Sequence, residues 1–132
     1  MERRARALVK KGRKTELFTI MERSGRDRVT SGVMARALEH GDTLTRRLLE
    51  EAITAAGIAI ASVCNVLDVE AVVIGGGLGT RLGEPFVRAV AESMLPHLLV
   101  DGDDRVKVLP AALADDSGAL GASTEAAALL SA

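Results

Sequence analysis

Aromatic residues and cysteine are nearly absent from this chain of 132 residues, which has no tryptophan, no tyrosine, two phenylalanines and one cysteine. Without aromatic platforms for base stacking, the chain does not fit the class of single-strand nucleic-acid readers. Cys64 has no partner for an internal disulfide, and because it lies in an apolar run we predict a buried free thiol. A free thiol agrees with a reducing compartment, so we expect a cytoplasmic protein.

Targeting and membrane signals are lacking as well. No apolar stretch follows the basic N-terminus, so we predict no signal peptide. The longest apolar run lies in a predicted helix that carries Asn65 and Asp68 at one end and charged residues at the other, which argues against a membrane span. A hydrophobic share of 48% is too high for intrinsic disorder and predicts a compact domain with a core.

The net charge of −1 provides no overall attraction to nucleic acid or to membranes. Basic residues nevertheless crowd the start of the chain: Arg3, Arg4, Arg6, Lys10, Lys11, Arg13 and Lys14. Two interpretations are open, a nucleic-acid-binding arm or a solvated helix face, and we favour the second. We therefore divide the chain into a basic helical segment, residues 1–30, and a single α/β domain, residues 31–132.

Hydrophobic spacing predicts helices first and a β-α-β-α unit afterwards. The expected helices are Glu2–Lys11, Thr15–Met21, one from Thr30 or Ser31 to Gly41, Thr43–Leu67 with Asp42 as its N-cap, one beginning near Glu84-Pro85, and Ala119–Leu130. The expected strands are Ala71–Ile74 and Val106–Leu109. Because a helix connects these strands, they should be parallel. Two strands make a poor sheet, so the pattern is typical of part of a larger fold.

The middle of the long helix, Ala55–Val63, is apolar on nearly all sides. A helix of that kind must be buried on several faces. We expect a sheet on one face and a second subunit on another, and hence a homodimer.

Three consecutive glycines, Gly75, Gly76 and Gly77, follow the first predicted strand. A strand, a glycine loop and a helix allow a backbone to approach a nucleotide closely. The loop matches neither G-x-G-x-x-G nor the P-loop, since Thr80 or Leu82 stands where the third glycine belongs and no Gly-Lys pair is present. The alternative is a tight turn without a ligand.

The other candidate residues carry weaker signals. Asp115 and Asp116 could bind a metal or act as a base, but we favour capping of the last helix. His40 and His97 have no second histidine or cysteine at ligand spacing, so we predict no metal site at either.

Three segments, in this order, carry a resemblance to a known family. They are the helix that follows Gly41-Asp42 and ends Cys64-Asn65-Val66-Leu67-Asp68, the strand and loop from Val72 to Leu78, and the stretch from Ala114 to Ala122. Together they resemble the C-terminal part of the ROK family, which includes bacterial sugar kinases, glucokinases and sugar-responsive repressors. The resemblance runs from about Ser31 to the end.

The resemblance implies an actin-like, ribonuclease-H-like α/β lobe with ATP in a cleft between two lobes. Gly75, Gly76, Gly77 and Leu78 are similar to the loop that contacts adenosine, and the Asp-Asp-Ser-Gly-Ala segment is similar to the turn before the last helix. The family's phosphate loop, catalytic aspartate, cysteine-rich zinc motif and Glu-x-x-His segment have no counterpart here. We therefore expect no catalytic residue and no zinc site in this chain, with ATP, Mg²⁺ and sugar bound by a full-length relative.

The leading hypothesis is thus the nucleotide-side portion of an ATP-dependent, glucose-type kinase that is inactive alone. One alternative is the sugar-binding and dimerisation part of a ROK repressor. Another is a dimerisation module without any ligand.

Overall fold

The computed structural model describes residues 1–99 and 106–130. Within these residues the elements are α1 (Glu2–Lys10), α2 (Leu17–Arg23), α3 (Ser31–Glu39), α4 (Thr43–Leu67), β1 (Ala71–Ile74), α5 (Gly76–Met94), β2 (Lys107–Pro110) and α6 (Ser117–Leu130), with short 3₁₀ turns at Leu95–His97 and Ala114–Asp116. The two strands pair in parallel, which confirms the predicted topology. β2 lies one residue later than predicted, and its last residue, Pro110, stands opposite Ile74 at the end of β1.

Polar caps begin α3 and α4, as predicted. The hydroxyl of Thr30 accepts a hydrogen bond from the Val33 N–H at 3.4 Å. Asp42 accepts one from the Thr45 N–H at 2.7 Å and another from the Glu16 N–H, at the start of α2, at 2.6 Å. Burial alone would raise the pKa of Asp42, but the N–H donors favour its charged form and the pKa is lowered overall.

A first hydrophobic cluster joins α1, α2, α3 and the first half of α4. Its buried members are Ala5, Leu17, Ile20, Met21, Val33, Met34, Ala37, Leu44 and Leu48. The sequence-based division of the chain falls after residue 30. This cluster contains side chains from before and after that position.

The basic residues of α1 contact neighbouring helices of the same fold. Arg4 forms an ion pair with Glu51 of α4 at 2.8 Å. Arg6 pairs with Glu2 at 2.7 Å, and its guanidinium carbon lies 4.7 Å from the centre of the Phe18 ring. These contacts support the interpretation of α1 as a packed helix with a solvated basic face.

A second cluster holds α4 and α5 against the sheet. Ala61 and Cys64 of α4 are buried beside Val90 and Met94 of α5, and Cys64 is a free thiol, as predicted. Gly57 lets the two helices approach closely, since a Cβ there would lie 2.7 Å from the backbone carbonyl carbon of Ser93. The close approach is what allows α5 to lie directly along α4.

The helix predicted to begin near Glu84-Pro85 is present as the part of α5 that follows a break at Gly83, whereas a first helical part that starts at Gly76 was not predicted. The helix begins at Gly76 and is interrupted at Gly83, where φ is +62° and ψ is −151°. Pro85 lies in the first turn after the break, where its fixed φ fits. Glycine has a low helix propensity, so the first part of α5 escaped detection from sequence.

The apolar stretch Ala55–Val63 was expected to be buried on several faces. Within the described residues it is buried on one side only. Gly57 and Ala61 are buried, whereas Ile58 is 44% exposed and Val63 is 52% exposed. By length and composition alone, α4 could cross a membrane, and it is the one described helix of which this holds. In this fold it is the central helix, because both hydrophobic clusters form along it.

Candidate functional site

The carboxyl ends of β1 and β2 meet at one edge of the sheet. The Ala111 N–H, just after β2, donates a hydrogen bond to the Ile74 carbonyl oxygen at 2.9 Å, which keeps the two strand ends together. In α/β folds, ligands bind beyond the carboxyl ends of the parallel strands. The glycine loop leaves β1 at this edge, so the candidate site begins here.

The three glycines of the loop occupy different environments. Gly75 is extended, and a Cβ on it would lie 3.2 Å from the Ala111 Cβ. Gly76 has φ +83° and no heavy atom within 4 Å of the position of a Cβ. A Cβ on Gly77 would lie 2.8 Å from the Ser31 hydroxyl oxygen. Gly76 is therefore the one of the three whose side faces open space, while Gly75 and Gly77 permit close packing.

Leu78 differs from the glycines, although the resemblance groups it with them. Its side chain is partly buried and packs against the first hydrophobic cluster. Any contact that Leu78 makes with a ligand in the loop would therefore involve its backbone. The four predicted site residues thus lie together, but the glycines form the loop while the side chain of Leu78 belongs to the hydrophobic core.

The turn that follows β2 lies beside the glycine loop. A cavity of about 200 Å³ lies beside the loop, and its lining comes from the end of β1 (Ile74), from α5 (Gly79, Thr80 and Gly83) and from the end of β2 and the turn (Pro110, Ala111 and Ala114). Ala114 has φ +43°, and its carbonyl accepts a hydrogen bond from the Ser117 hydroxyl at 2.8 Å. The fold therefore brings together two segments that are far apart in sequence and that both carry the family resemblance.

The capping role predicted for Asp115 and Asp116 stays a prediction. Asp116 is the last residue of the 3₁₀ turn, and its N–H donates to the Leu113 carbonyl at 2.9 Å. The side chain of Asp115 lies outside the described part of the molecule. Across residues 1–99 and 106–130, no group of three histidine, cysteine, aspartate or glutamate side chains could hold a metal ion.

A larger cavity, of about 720 Å³, opens between α3 and the first turns of α5. Its lining is mainly polar and includes three arginines, Arg26, Arg36 and Arg81, together with the hydroxyls of Ser24, Thr30, Ser31 and Thr80. The Arg81 Nε donates to the Ser31 hydroxyl at 3.3 Å, and an Arg36 N–H donates to the Ser24 hydroxyl at 3.1 Å. Because a Cβ on Gly77 would lie 2.8 Å from the hydroxyl oxygen of Ser31, this cavity adjoins the glycine loop.

Sequence reasoning missed Ser31 and Arg81 as site residues. Ser31 was predicted only as a possible helix start, and Arg81 has no recognisable spacing signal. Fifty positions separate them in the chain, so their contact arises only from the packing of α3 on α5.

Comparison with known proteins agrees with this geometry. The model of the ROK family matches residues 6–128. The fold is similar to that of a protein from Cytophaga hutchinsonii ATCC 33406 described as a candidate sugar kinase, with a TM-score of 0.68 and 24% sequence identity. The likeness covers 92% of this chain and 38% of that one, so the chain spans less than half the length of that protein. The comparison with curated proteins found no match. The predicted partial α/β lobe is confirmed.

Proposed function

The chain belongs to the ROK family, and we propose that it is the C-terminal, nucleotide-side portion of an ATP-dependent, glucose-type sugar kinase. The fold that it shares with a candidate sugar kinase supports the kinase branch of the family. Sugar binding and phosphoryl transfer belong, in this proposal, to the full-length protein, which acts in the cytoplasm.

The main support for this proposal is a cavity at the carboxyl edge of the sheet. The residues on either side of the glycine loop, Ile74 and Gly79, line one cavity at the carboxyl edge of the sheet together with Ala114 of the turn before α6. Parallel strands whose following loops converge are the usual setting of a nucleotide site. A structural turn alone would not require the second segment to lie at the same place.

The loop would hold the nucleotide through its backbone. Gly76 leaves open space where any other residue would place a side chain, so a ribose or a base can lie directly on the main chain. No side chain caps the start of α5, and its first turn contains no acidic residue. A phosphate near these N–H groups would meet no fixed negative charge. Within the described residues, no three histidine, cysteine, aspartate or glutamate side chains lie together, and we assign no step to Mg²⁺.

The test is to compare Gly76→Val with Gly12→Val. Both glycines have a positive φ, +83° and +86°, and both have open space beside them, so valine should strain the backbone similarly at either position. Both variants should lower the melting temperature by similar amounts. Only Gly76→Val should also weaken ATP binding, by roughly tenfold, which corresponds to about 1.4 kcal/mol.

Binding would be followed by NMR titration of this chain, because we expect weak affinity, with Kd of the order of 1 mM. The amides of Gly75–Leu78 should shift with ATP. An unchanged ATP affinity in folded Gly76→Val would mean that the glycines serve only the turn. A complete lack of ATP binding by the wild-type chain would contradict the kinase proposal and favour the repressor alternative.

A further inference from the structure

The break in α5 at Gly83 has no role in the function proposed so far. The first part of the helix, residues 76–82, is anchored on the side of α3, because Leu78 packs against the first hydrophobic cluster. The second part, residues 84–94, is anchored on α4 and the sheet, because Met94 is buried in the second cluster. Gly83 therefore stands between two parts of one helix that belong to different cores.

The backbone of Gly83 has a conformation that other residues do not adopt. Its φ is +62° and its ψ is −151°, and essentially only glycine occupies this region. A Cβ at this position would meet the Pro85 Cδ at 3.9 Å, which is an ordinary contact distance. An alanine here would therefore be disfavoured by its backbone angles and not by a lack of space.

Pro85 prevents α5 from running straight through this position. In a continuous helix the ring of Pro85 would clash with the carbonyl group of Arg81, four residues earlier, and that carbonyl would also lack an N–H donor. The break avoids both costs, because it places Pro85 in a first helical turn. Gly83 and Pro85 thus act together, since the proline excludes the straight helix and the glycine allows the bent one.

The bend determines where the glycine loop lies. Residues 76–82 are bounded by two glycines of positive φ, +83° at Gly76 and +62° at Gly83. Gly83 also lines the cavity of about 200 Å³ at the carboxyl edge of the sheet, opposite Ala111 and Ala114 from the side of β2. A change of helix direction at Gly83 would move the first part of α5, and with it the loop, relative to this edge.

We propose that Gly83 and Pro85 are positioning residues of the candidate nucleotide site, which hold the glycine loop at the carboxyl edge of the sheet by fixing the bend in α5. The two residues act through the direction of the helix and not through a contact with the nucleotide. A binding site works only when the structure around it holds its groups close to the productive geometry. This inference rests on the proposed function, which assigns ATP to the backbone of the loop.

The experiment compares three variants of this chain: Gly83→Ala, Gly83→Ala combined with Pro85→Ala, and Gly25→Ala as the matched control. Gly25 has nearly the same φ, +64°, and no heavy atom within 4 Å of the position of a Cβ, and it lies in the turn after α2. Melting temperatures measure the strain. The Cα chemical shifts of residues 81–85 report whether the helix is bent or straight, and NMR titration measures ATP binding.

We expect Gly83→Ala and Gly25→Ala to lower the melting temperature, because both place a Cβ on a backbone of positive φ. Only Gly83→Ala should also weaken ATP binding, by roughly tenfold. In the double variant the helix can run straight, so its Cα shifts should become helical across residue 83 and its melting temperature should exceed that of Gly83→Ala. Its ATP affinity should stay low, because relief of the strain does not return the loop to its place.

The outcomes separate this inference from the proposed function. If the Cα shifts show an altered helix in a variant that binds ATP as tightly as the wild type, the bend does not position the loop. If the double variant keeps both the shifts and the affinity of the wild type, Gly83 and Pro85 do not fix the bend. Either result overturns the inference and leaves the proposed function standing.

Two further results bear on the inference. An equal loss of ATP affinity in Gly25→Ala would assign the effect to general strain and would also overturn it. If the wild-type chain does not bind ATP at millimolar concentration, both proposals fail. Should Gly83→Ala alone not fold, the double variant, in which the strain is relieved, provides the same comparison with the wild type.

Discussion

At Asp42, a single carboxylate connects two helices. One of its oxygens accepts from the Thr45 N–H in the first turn of α4, and the other accepts from the Glu16 N–H that precedes α2. The residue is 8% exposed, so water can replace these bonds only in part. A cap of this kind stabilises the start of α4 and also holds α2 against it.

We predict that Asp42→Ala lowers the free energy of unfolding at pH 7 by about 1–2 kcal/mol, the usual cost of losing a side-chain cap. Urea unfolding would measure this loss, with Asp27→Ala, in the exposed turn after α2, as the control. The pKa of Asp42 is lowered in the folded state. Its contribution is therefore complete above the pKa of the unfolded chain, about 3.9, and is lost as pH falls through the lower folded-state pKa.

The difference between wild type and Asp42→Ala should consequently shrink when unfolding is measured at acidic pH. An equal difference at neutral and strongly acidic pH would show that the charge of Asp42 does not matter. Glu2, whose pKa is lowered by the Val29 N–H and by Arg6, should contribute a loss of stability at acidic pH that is the same in both proteins and cancels in this comparison.

Among the elements, α4 and α6 leave the most apolar surface uncovered in the described structure. On α4, Val66 is 80% exposed and Leu67 is 65% exposed, in addition to Ile58 and Val63. Every residue of α6 is exposed, including Leu129 at 73% and Leu130 at 90%. Contiguous apolar patches of this kind mark interaction surfaces.

We expect the chain to form a homodimer in which α4 contributes the Ala55–Val63 face. Ile58→Glu with Val63→Glu should shift the population towards monomer, because burying the new carboxylates would be costly. Light scattering over a concentration series would measure the shift, and Val9→Glu, at an exposed apolar position of α1, is the control. A clean wild-type monomer at high concentration would contradict this expectation.

At the scale of the whole molecule, we propose that the chain holds one side of a nucleotide site. It covers 38% of the length of the candidate sugar kinase that it resembles in fold. Phosphoryl transfer depends on positioning and on electrostatic stabilisation around the phosphates, and the resemblance identifies no catalytic aspartate in these 132 residues. ATP binding and catalysis should therefore be separable in this protein.

We predict that this chain alone does not phosphorylate glucose. A coupled assay with ATP, Mg²⁺ and glucose should show no turnover in the range of roughly 1–100 per second that is typical of kinases. A full-length sugar kinase of the same family serves as the positive control. Turnover in that range by the 132-residue chain would require a catalytic base that the proposal does not contain.

Local signals were sufficient for several elements. The bounds of α4, Thr43–Leu67, and of β1, Ala71–Ile74, agree with the predictions, because an N-cap, a helical period and a β-branched run are all encoded by neighbouring residues. The start of α5 was not predictable in this way. Its first turn is built from glycines, which are poor helix formers, and the packing of Gly77 against Ser31 accompanies its helical form.

The sequence by itself determined the order of the elements, the caps, the buried Cys64 and the family, since each depends on short patterns along the chain. Only the tertiary structure decided what lies around the glycine loop. The cavity exists because α3 packs across α5, which brings Ser31 and Thr30 to Arg81 and Thr80. No pattern along the chain records that approach, because it results from the helix packing that the two hydrophobic clusters impose as a whole.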